Sequence, residues 1–535
     1  MTQPVIKLAA LLGVGLLLSG CQLVSFFSDE STAPITAEQL PRETGIERYS
    51  MTLTAKQPIL AKRDDLSPLQ QADLWDRVRL QLSLDMPEQA SIEAHRDWYL
   101  RHPNYIERVT QRAGPLLYFI VEEIEKRGLP LELVMVPIVE SAYDTFAYSH
   151  GRASGIWQFI PSTALHYGLD INWWYDGRRD IIAATHTALD YFDRLNKTFD
   201  GDWLLAIAAY NGGQGRVAAA VRKNKAQGKP TDFWSLSLPR ETRNYVPKIL
   251  ALSSLLAERH ASPLTWRYVP NQPVLEVIDV GQQMDLALAA NMAGIQLDEL
   301  HRYNSGYNRW ATTPGGPYHL LLPRHAAENF KAELENSDPS TWVTWERHRV
   351  RSGESLLTIA RQYSTTPGAL QQANNITGSL IRAGDYLLIP VASQDLSNYS
   401  LSAEQRLATT QSKSNDGQRI DHKVVSGDTL WDLSRKYNVG VNSIARWNNM
   451  APGDMLQPGQ NLAIWVTESG STPQRTASVT RTVQYQVRSG DSLARIASRF
   501  QVSITDIERW NQISRERYLQ PGQRLTLHVN VTQGG

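Results

Sequence analysis

A glutamate stands in the run Val139-Glu140-Ser141-Ala142-Tyr143-Asp144, and fifteen residues beyond it comes Gly155-Ile156-Trp157-Gln158-Phe159. This order sets one carboxylic acid ahead of a glycine-containing loop that ends in an aromatic-polar pair. An acid so placed can protonate the oxygen that joins two sugars. Most glycosidases use two carboxylates for that work. If Glu140 works alone, the substrate must supply what the second carboxylate normally does.

Glu140 follows the apolar stretch Leu133-Val134-Met135-Val136-Pro137-Ile138-Val139. Desolvation by such surroundings raises a carboxyl pKa and keeps the acid protonated near neutral pH. Asp144 lies one helical turn further on, either as a second carboxylate or as a cap for the loop it opens. Trp157 reads equally as core or as a sugar platform, and Gly155 as a position needing an unusual backbone angle. No HExxH or other close histidine pairing suggests a metal, so the chemistry reads as needing no metal and no cofactor.

The elements that must hold these residues are mostly helical from about 66 to 260. Leu74, Val78, Leu80 and Leu82 fall close to helical spacing, as do Leu117, Ile120, Val121 and Ile124. Pro130 is placed to open the next helix and Pro137 to bend or end it, which leaves Glu140 near a helix end. We divide this part into a helical N-terminal extension (66–125) and a catalytic domain (126–260).

The C-terminal third is repetitive. Val350-Arg351-Ser352-Gly353-Glu354-Ser355-Leu356 recurs as Val424-Val425-Ser426-Gly427-Asp428-Thr429-Leu430 and as Val487-Arg488-Ser489-Gly490-Asp491-Ser492-Leu493. Asn374, Asn448 and Asn511 each follow the glycine by 21 residues, and a second glycine (Gly384, Gly459, Gly522) precedes an alternating apolar strand. A strand, two helical stretches and a closing strand fit each unit, at 347–392, 421–466 and 484–530. The polar spacers 393–420 and 467–482 read as flexible linkers between beads. Residues 265–325, with Val280-Gly281 and Asn304, read either as a degenerate fourth copy or as an unrelated small α+β domain.

At the other end, Lys7 precedes eleven unbroken apolar residues (8–18), too few for a membrane span, which needs roughly 20. The run reads as a signal peptide (1–20) ending Leu18-Ser19-Gly20-Cys21. Residues 21–65, rich in Ser, Thr, Pro and charge, read as a tether. Cys21 is the sole cysteine, so disulfides within the chain are impossible, and a cysteine peptidase is disfavoured. With 54 basic and 54 acidic residues the formal net charge is zero, giving no global basic footprint for nucleic acid.

Several of these segments carry family resemblances. Leu18-Ser19-Gly20-Cys21 resembles the lipobox of bacterial lipoproteins, which implies lipid on Cys21 and, with Gln22 next, an outer-membrane lipoprotein facing the periplasm of a Gram-negative bacterium. The three repeats resemble the LysM domain, a small βααβ fold that binds N-acetylglucosamine-containing glycans. The resemblance puts a sugar groove between the loop after the first strand and the loop before the last. The first of these carries Gly353 and Ser355, then Gly427, Asp428 and Thr429, then Gly490, Asp491 and Ser492. The same residues also suit a turn and a helix N-cap, with backbone groups making much of the sugar contact.

Glu140-Ser141, Ser149 through Gly155-Ile156-Trp157-Gln158, Ala209-Tyr210-Asn211-Gly212-Gly213 and Glu241-Thr242-Arg243-Asn244-Tyr245-Val246-Pro247-Lys248 are similar, in order and spacing, to the soluble-lytic-transglycosylase domain. That domain is a helical relative of goose-type lysozyme. With lipobox and LysM units, nearly the full chain resembles the membrane-bound lytic murein transglycosylase D family. The resemblance implies a mainly α, lysozyme-like catalytic domain followed by LysM domains, acting on peptidoglycan glycan strands from a lipid anchor.

It also implies cleavage of the β-1,4 bond between N-acetylmuramic acid and N-acetylglucosamine, leaving 1,6-anhydromuramoyl ends. Glu140 would be the acid; Gln158, Tyr210, Asn211 and Tyr245 would hold sugars, Ser149 would orient the acetamido group, and Glu241 would support the network. Many relatives have Gly-Ala where this chain has Arg152-Ala153, which puts a long cation at the cleft rim. A hydrolytic muramidase of the same fold and a non-catalytic LysM adaptor are the rival readings.

Overall fold

A computed structural model describes residues 66–466 except 150 and 364, and residues 480–530 except 489, 490, 501, 503, 514–518 and 521. The expected signal peptide, Cys21, the 21–65 tether, Gly490 and most of the 467–482 linker lie outside the described residues. The chain divides into a larger unit within 45–469 and a second unit that holds the third LysM repeat.

In the larger unit, helices Leu74–Arg79, Ala90–Arg101, Pro103–Lys126, Ile181–Thr198, Trp203–Gly212 and Arg240–Ala257 surround one apolar core. Leu117, Ile120, Val121 and Ile124 are fully buried on one face of the long third helix, as their spacing predicts. Asp180 and Asp202 accept from the backbone N–H groups of Ala183 and Leu205 and start the two central helices. One core crosses the expected boundary at 125/126: Leu74, Trp75 and Ile106 belong to the same core as Leu133 and Leu252. The core also extends past residue 260 to Trp266 and Val269.

Pro137 acts differently from expectation. The chain runs as a 3-10 turn over Leu131–Met135 and then restarts as the helix Val136–Ser141, with Pro137 in its first turn. A proline is tolerated there because that N–H has no intrahelical partner.

Four antiparallel strand pairs follow: Leu275–Asp279 with His319–Pro323, Thr344–Arg349 with Tyr386–Val391, Gln418–Lys423 with Asn461–Val466, and Thr480–Gln486 with Arg524–Asn530. Each encloses two short helices. The repeated asparagine explains itself in three dimensions. Asn448 Nδ2 donates to Ile444 O and Ala463 O, while its Oδ1 accepts from Ala463 N. Asn374 and Asn511 make the equivalent bonds to Leu388 and Thr526. Asn304 does the same to Leu321, so the 265–325 segment shares the lock that closes the other three. Its core also takes in Ala326, Ala327 and Phe330 of the helix Arg324–Asn336.

The 393–420 linker is corrected as well. It forms the helix Ala403–Ser412, a strap held at separate points by contacts to distant segments. Tyr399 is fully buried and donates to the buried Asp285 carboxylate at 2.9 Å. Ala403 N donates to Asn308 O, Glu404 pairs with Arg309, and the Arg406 guanidinium lies 4.4 Å from the Phe146 ring centroid. Local composition hid this because the strap's own polar residues find their partners on distant segments.

Candidate active site

Glu140 sits on the last turn of the helix Val136–Ser141. The helix ends where Ala142 and Tyr143 both adopt left-handed backbone angles, φ 52° and 57°. Two such residues in succession carry strain, and side-chain bonds hold them. Ser141 Oγ reaches both Pro137 O and Ile156 O, and Tyr143 Oη donates to Val134 O. Ser141 therefore ties the acid-bearing helix directly to the Gly155–Phe159 loop.

Tyr245, on the helix Arg240–Ala257, donates its hydroxyl to Glu140 Oε1 at 2.6 Å. Burial is the largest influence on the Glu140 carboxyl and pushes its pKa up to about 7. The Tyr245 bond and the Lys248 ammonium pull it down, and the Glu241 charge pushes it up. Lys248 lies one turn beyond Tyr245 on the same helix, and burial pulls its own pKa down. The sequence motif contained Lys248, but only the fold brings its charge to bear on Glu140. His95 is also drawn into this neighbourhood: burial, and then Lys248, lower its pKa to about 4.

The loop opposite is a tight hairpin. Tyr148 bridges Ser154, and Ser154 bridges Phe159. Gly155 has φ 78°, and a Cβ there would lie 1.8 Å from Arg178 O, so both angle and space require glycine. Gln158, also left-handed at φ 51°, donates to Gly155 O at 2.7 Å. Ser149 Oγ accepts from Ala153 N at 3.0 Å and closes the turn over 149–153. Trp157 is fully buried and donates to Thr185 Oγ1, so it is core and not a sugar platform. Tyr210 stacks on Phe192 at 4.3 Å, and its hydroxyl donates to Trp157 O, which braces the same loop.

Asn211 Nδ2 donates to Glu241 Oε1 at 3.2 Å, while its buried Oδ1 has no partner. A buried acceptor left open costs free energy unless something arrives to donate to it. Asp144 Oδ1 accepts from Phe146 N at 2.9 Å and caps the loop it opens. Its charge bears on Arg179 and Arg406 rather than on Glu140.

In the LysM units the side chains singled out from sequence are largely occupied locally. Asp428 Oδ2 accepts from Val425 N and faces His422 Nε2; Asp491 Oδ2 accepts from Arg488 N and from Tyr485 Oη. Ser355, Thr429 and Ser492 accept from Thr358 N, Asp432 N and Arg495 N, as helix caps do. Gly353 and Gly427 hold φ of 86° and 97° in the turns.

The chain matches the family model described as "Transglycosylase SLT domain" over residues 118–233. Residues 274–338 match "Lytic transglycosylase MltD, LysM-like domain", and 348–390, 422–465 and 485–527 match "LysM domain". Membrane-bound lytic murein transglycosylase D of Escherichia coli is 35% identical over 470 residues, covering 86% of this chain and 98% of that protein. An autolysin of Enterococcus faecalis is 28% identical over 194 residues, 35% of this chain and 25% of the relative. Among solved structures, an inactive mutant of the lytic transglycosylase Slt from Pseudomonas aeruginosa aligns at 20% identity and TM-score 0.24, covering 37% of this chain and 35% of that one.

Proposed function

The chain belongs to the membrane-bound lytic murein transglycosylase D family, and on that premise we propose that Glu140 alone carries both proton transfers of its reaction. The protein is a peptidoglycan lytic transglycosylase with a helical catalytic domain followed by LysM domains. In the proposed sequence, protonated Glu140 donates to the glycosidic oxygen between N-acetylmuramic acid and N-acetylglucosamine. The C1–O bond breaks, and the muramyl acetamido group supports the developing positive charge. Ionised Glu140 then takes the proton from the muramyl C6 hydroxyl as that oxygen bonds to C1. The product is a 1,6-anhydromuramoyl end, with no water consumed.

One observation carries this reading. The Glu140 pKa of about 7 leaves the acid and its conjugate base both populated at neutral pH, which suits one group that gives and then removes a proton. Tyr245 orients the carboxyl, and Asn211, which donates to Glu241 beside it, is the amide that holds the sugar. Gln158, Ser149 and Tyr210 shape the loop that forms the opposite wall, and Glu241 sets the charge balance from the side. In the LysM units, backbone groups of the Gly353 and Gly427 turns make the main sugar contacts, with Ser355, Asp428 and Thr429 holding those turns in shape; Asp491 and Ser492 do the same in the third unit.

Lipid on Cys21 would keep the enzyme at the outer membrane, facing the wall from the periplasm. Mass spectrometry of digested peptidoglycan tests the chemistry, since hydrolysed ends are heavier than anhydro ends by one water. Incorporation of labelled palmitate, lost in Cys21→Ala, tests the anchor.

A further inference from the structure

The second LysM unit touches the hairpin that Ser141 ties to the Glu140 helix. Arg152 Nε lies 2.6 Å from Asp454 Oδ1, and Tyr148 Oη donates to Asp454 Oδ2 at 3.3 Å. Asp454 also accepts from Ala451 N at 2.8 Å, which fixes it within its own loop. That loop leads from Asn448 to the closing strand Asn461–Val466, the position where the LysM resemblance puts one side of the sugar groove. Arg152 and Tyr148 belong to the hairpin that carries Gln158, and Arg152 O accepts from Arg178 Nη1 at 2.7 Å.

Arg152 holds φ 67°, a conformation that favours glycine, so a long cation is kept at a position where it is locally unfavourable. The strap reaches the same module independently: Gln411 Nε2 donates to Asn448 Oδ1 at 2.7 Å and to Asn461 O at 3.1 Å. The docking leaves apolar side chains open on both groove loops, with Val425 60% and Met455 81% exposed.

We propose that the second LysM unit is a fixed extension of the catalytic cleft, latched by Arg152 and Asp454, so that a glycan strand lying in its groove is presented to Glu140 at a set spacing. The inference rests on the reading of Glu140 as the cutting acid. Two sites held rigidly on one strand act at high effective concentration, an advantage lost when their geometry is released. Arg152 and Asp454 are then specificity-determining: they govern how long strands are engaged and leave the chemistry untouched.

The test uses the purified full chain with Arg152→Asp, Asp454→Arg, and the two combined to restore opposite charges. Aspartate is among the non-glycine residues that tolerate the left-handed angle at 152. Two substrates are compared: long peptide-free glycan strands, and a muropeptide tetrasaccharide that fills the cleft alone. We expect each single variant to lose about tenfold in kcat/KM on long strands and its preferred fragment length. The tetrasaccharide rate holds, and the double variant recovers both losses.

Equal rates on both substrates in all variants would overturn the proposal. So would faster cleavage of long strands by the single variants, which would make the contact an autoinhibitory one. Loss on the tetrasaccharide as well, without recovery in the double variant, would assign Arg152 to hairpin stability instead. Glu140→Gln runs alongside: activity surviving in it removes the premise, whereas activity absent in it and normal in the latch variants removes only the inference.

Discussion

The Tyr245 hydroxyl donates to Glu140 Oε1 at 2.6 Å across 105 residues of sequence. This bond favours the ionised carboxylate and opposes the burial that favours the neutral acid. The balance of the two leaves the pKa of the group at about 7.

Replacing Tyr245 by Phe removes the larger of the two influences that lower the Glu140 pKa and leaves only that of Lys248. The acid then stays protonated to higher pH. The alkaline limb of the kcat/KM profile is expected to move upward by about one unit, the size of one charge-assisted hydrogen bond. A limb that stays in place, or moves down, would show that Tyr245 does not set this proton.

Glu140→Gln is expected to lower kcat by at least about 100-fold. It also has a stability signature whose sign follows from the shift. The folded pKa, about 7, exceeds the ordinary glutamate value of 4.5 that the unfolded chain has, so between those values the folded state binds more protons than the unfolded one. Stability therefore falls as pH rises through that window, by up to about 3 kcal/mol. Glutamine has no such slope. Chemical denaturation of both proteins at pH 5 and pH 8 should show the variant gaining on the wild type at the higher pH.

Gly155→Ala sets a methyl group against Arg178 O in a backbone conformation that alanine avoids. We expect a loss of about 3–5 kcal/mol and a melting temperature lower by about 10 °C. An unchanged melting point would mean the loop relaxes freely, contrary to its hydrogen-bonded frame.

Asn448→Ala deprives Ala463 of partners for both its N–H and its C=O. The second LysM unit should lose about 2–4 kcal/mol, read as faster hydrogen exchange at Ala463. Asn304→Ala should do the same at Leu321, because its bonds are equivalent.

The strap predicts resistance to protease over 393–412. Tyr399→Ala removes a buried ring and its bond to Asp285, and cleavage in this stretch should follow at protease levels that leave the wild type whole. Equal cleavage of the wild type would return the segment to a flexible linker.

Much of this architecture is written locally. The 3.6-residue spacing of Leu117, Ile120, Val121 and Ile124 marks a buried helical face, and that face is buried. The recurrence of Gly and Asn at a constant interval marks the LysM units because each unit closes on itself through short-range bonds. The strap was illegible for the opposite reason. Its polar composition resembles a linker, and the groups that satisfy Tyr399 and Glu404 lie near residues 285 and 309. Trp157 was ambiguous because side-chain type cannot distinguish a core ring from an exposed one, whereas its complete burial can.

Sequence alone singled out Glu140, the ordered motifs around it and the repeated modules, since these are properties of residue identity and spacing along the chain. Tertiary structure decided what those residues experience. The protonation of Glu140 depends on burial and on the charges of Glu241 and Lys248 brought in by another helix. The role of Asp428 depends on the strand histidine and the turn N–H it meets. The pairing of Arg152 with Asp454 depends on two domains touching. Desolvation and hydrogen bonding act through space, and no pattern of neighbours along the chain encodes them directly.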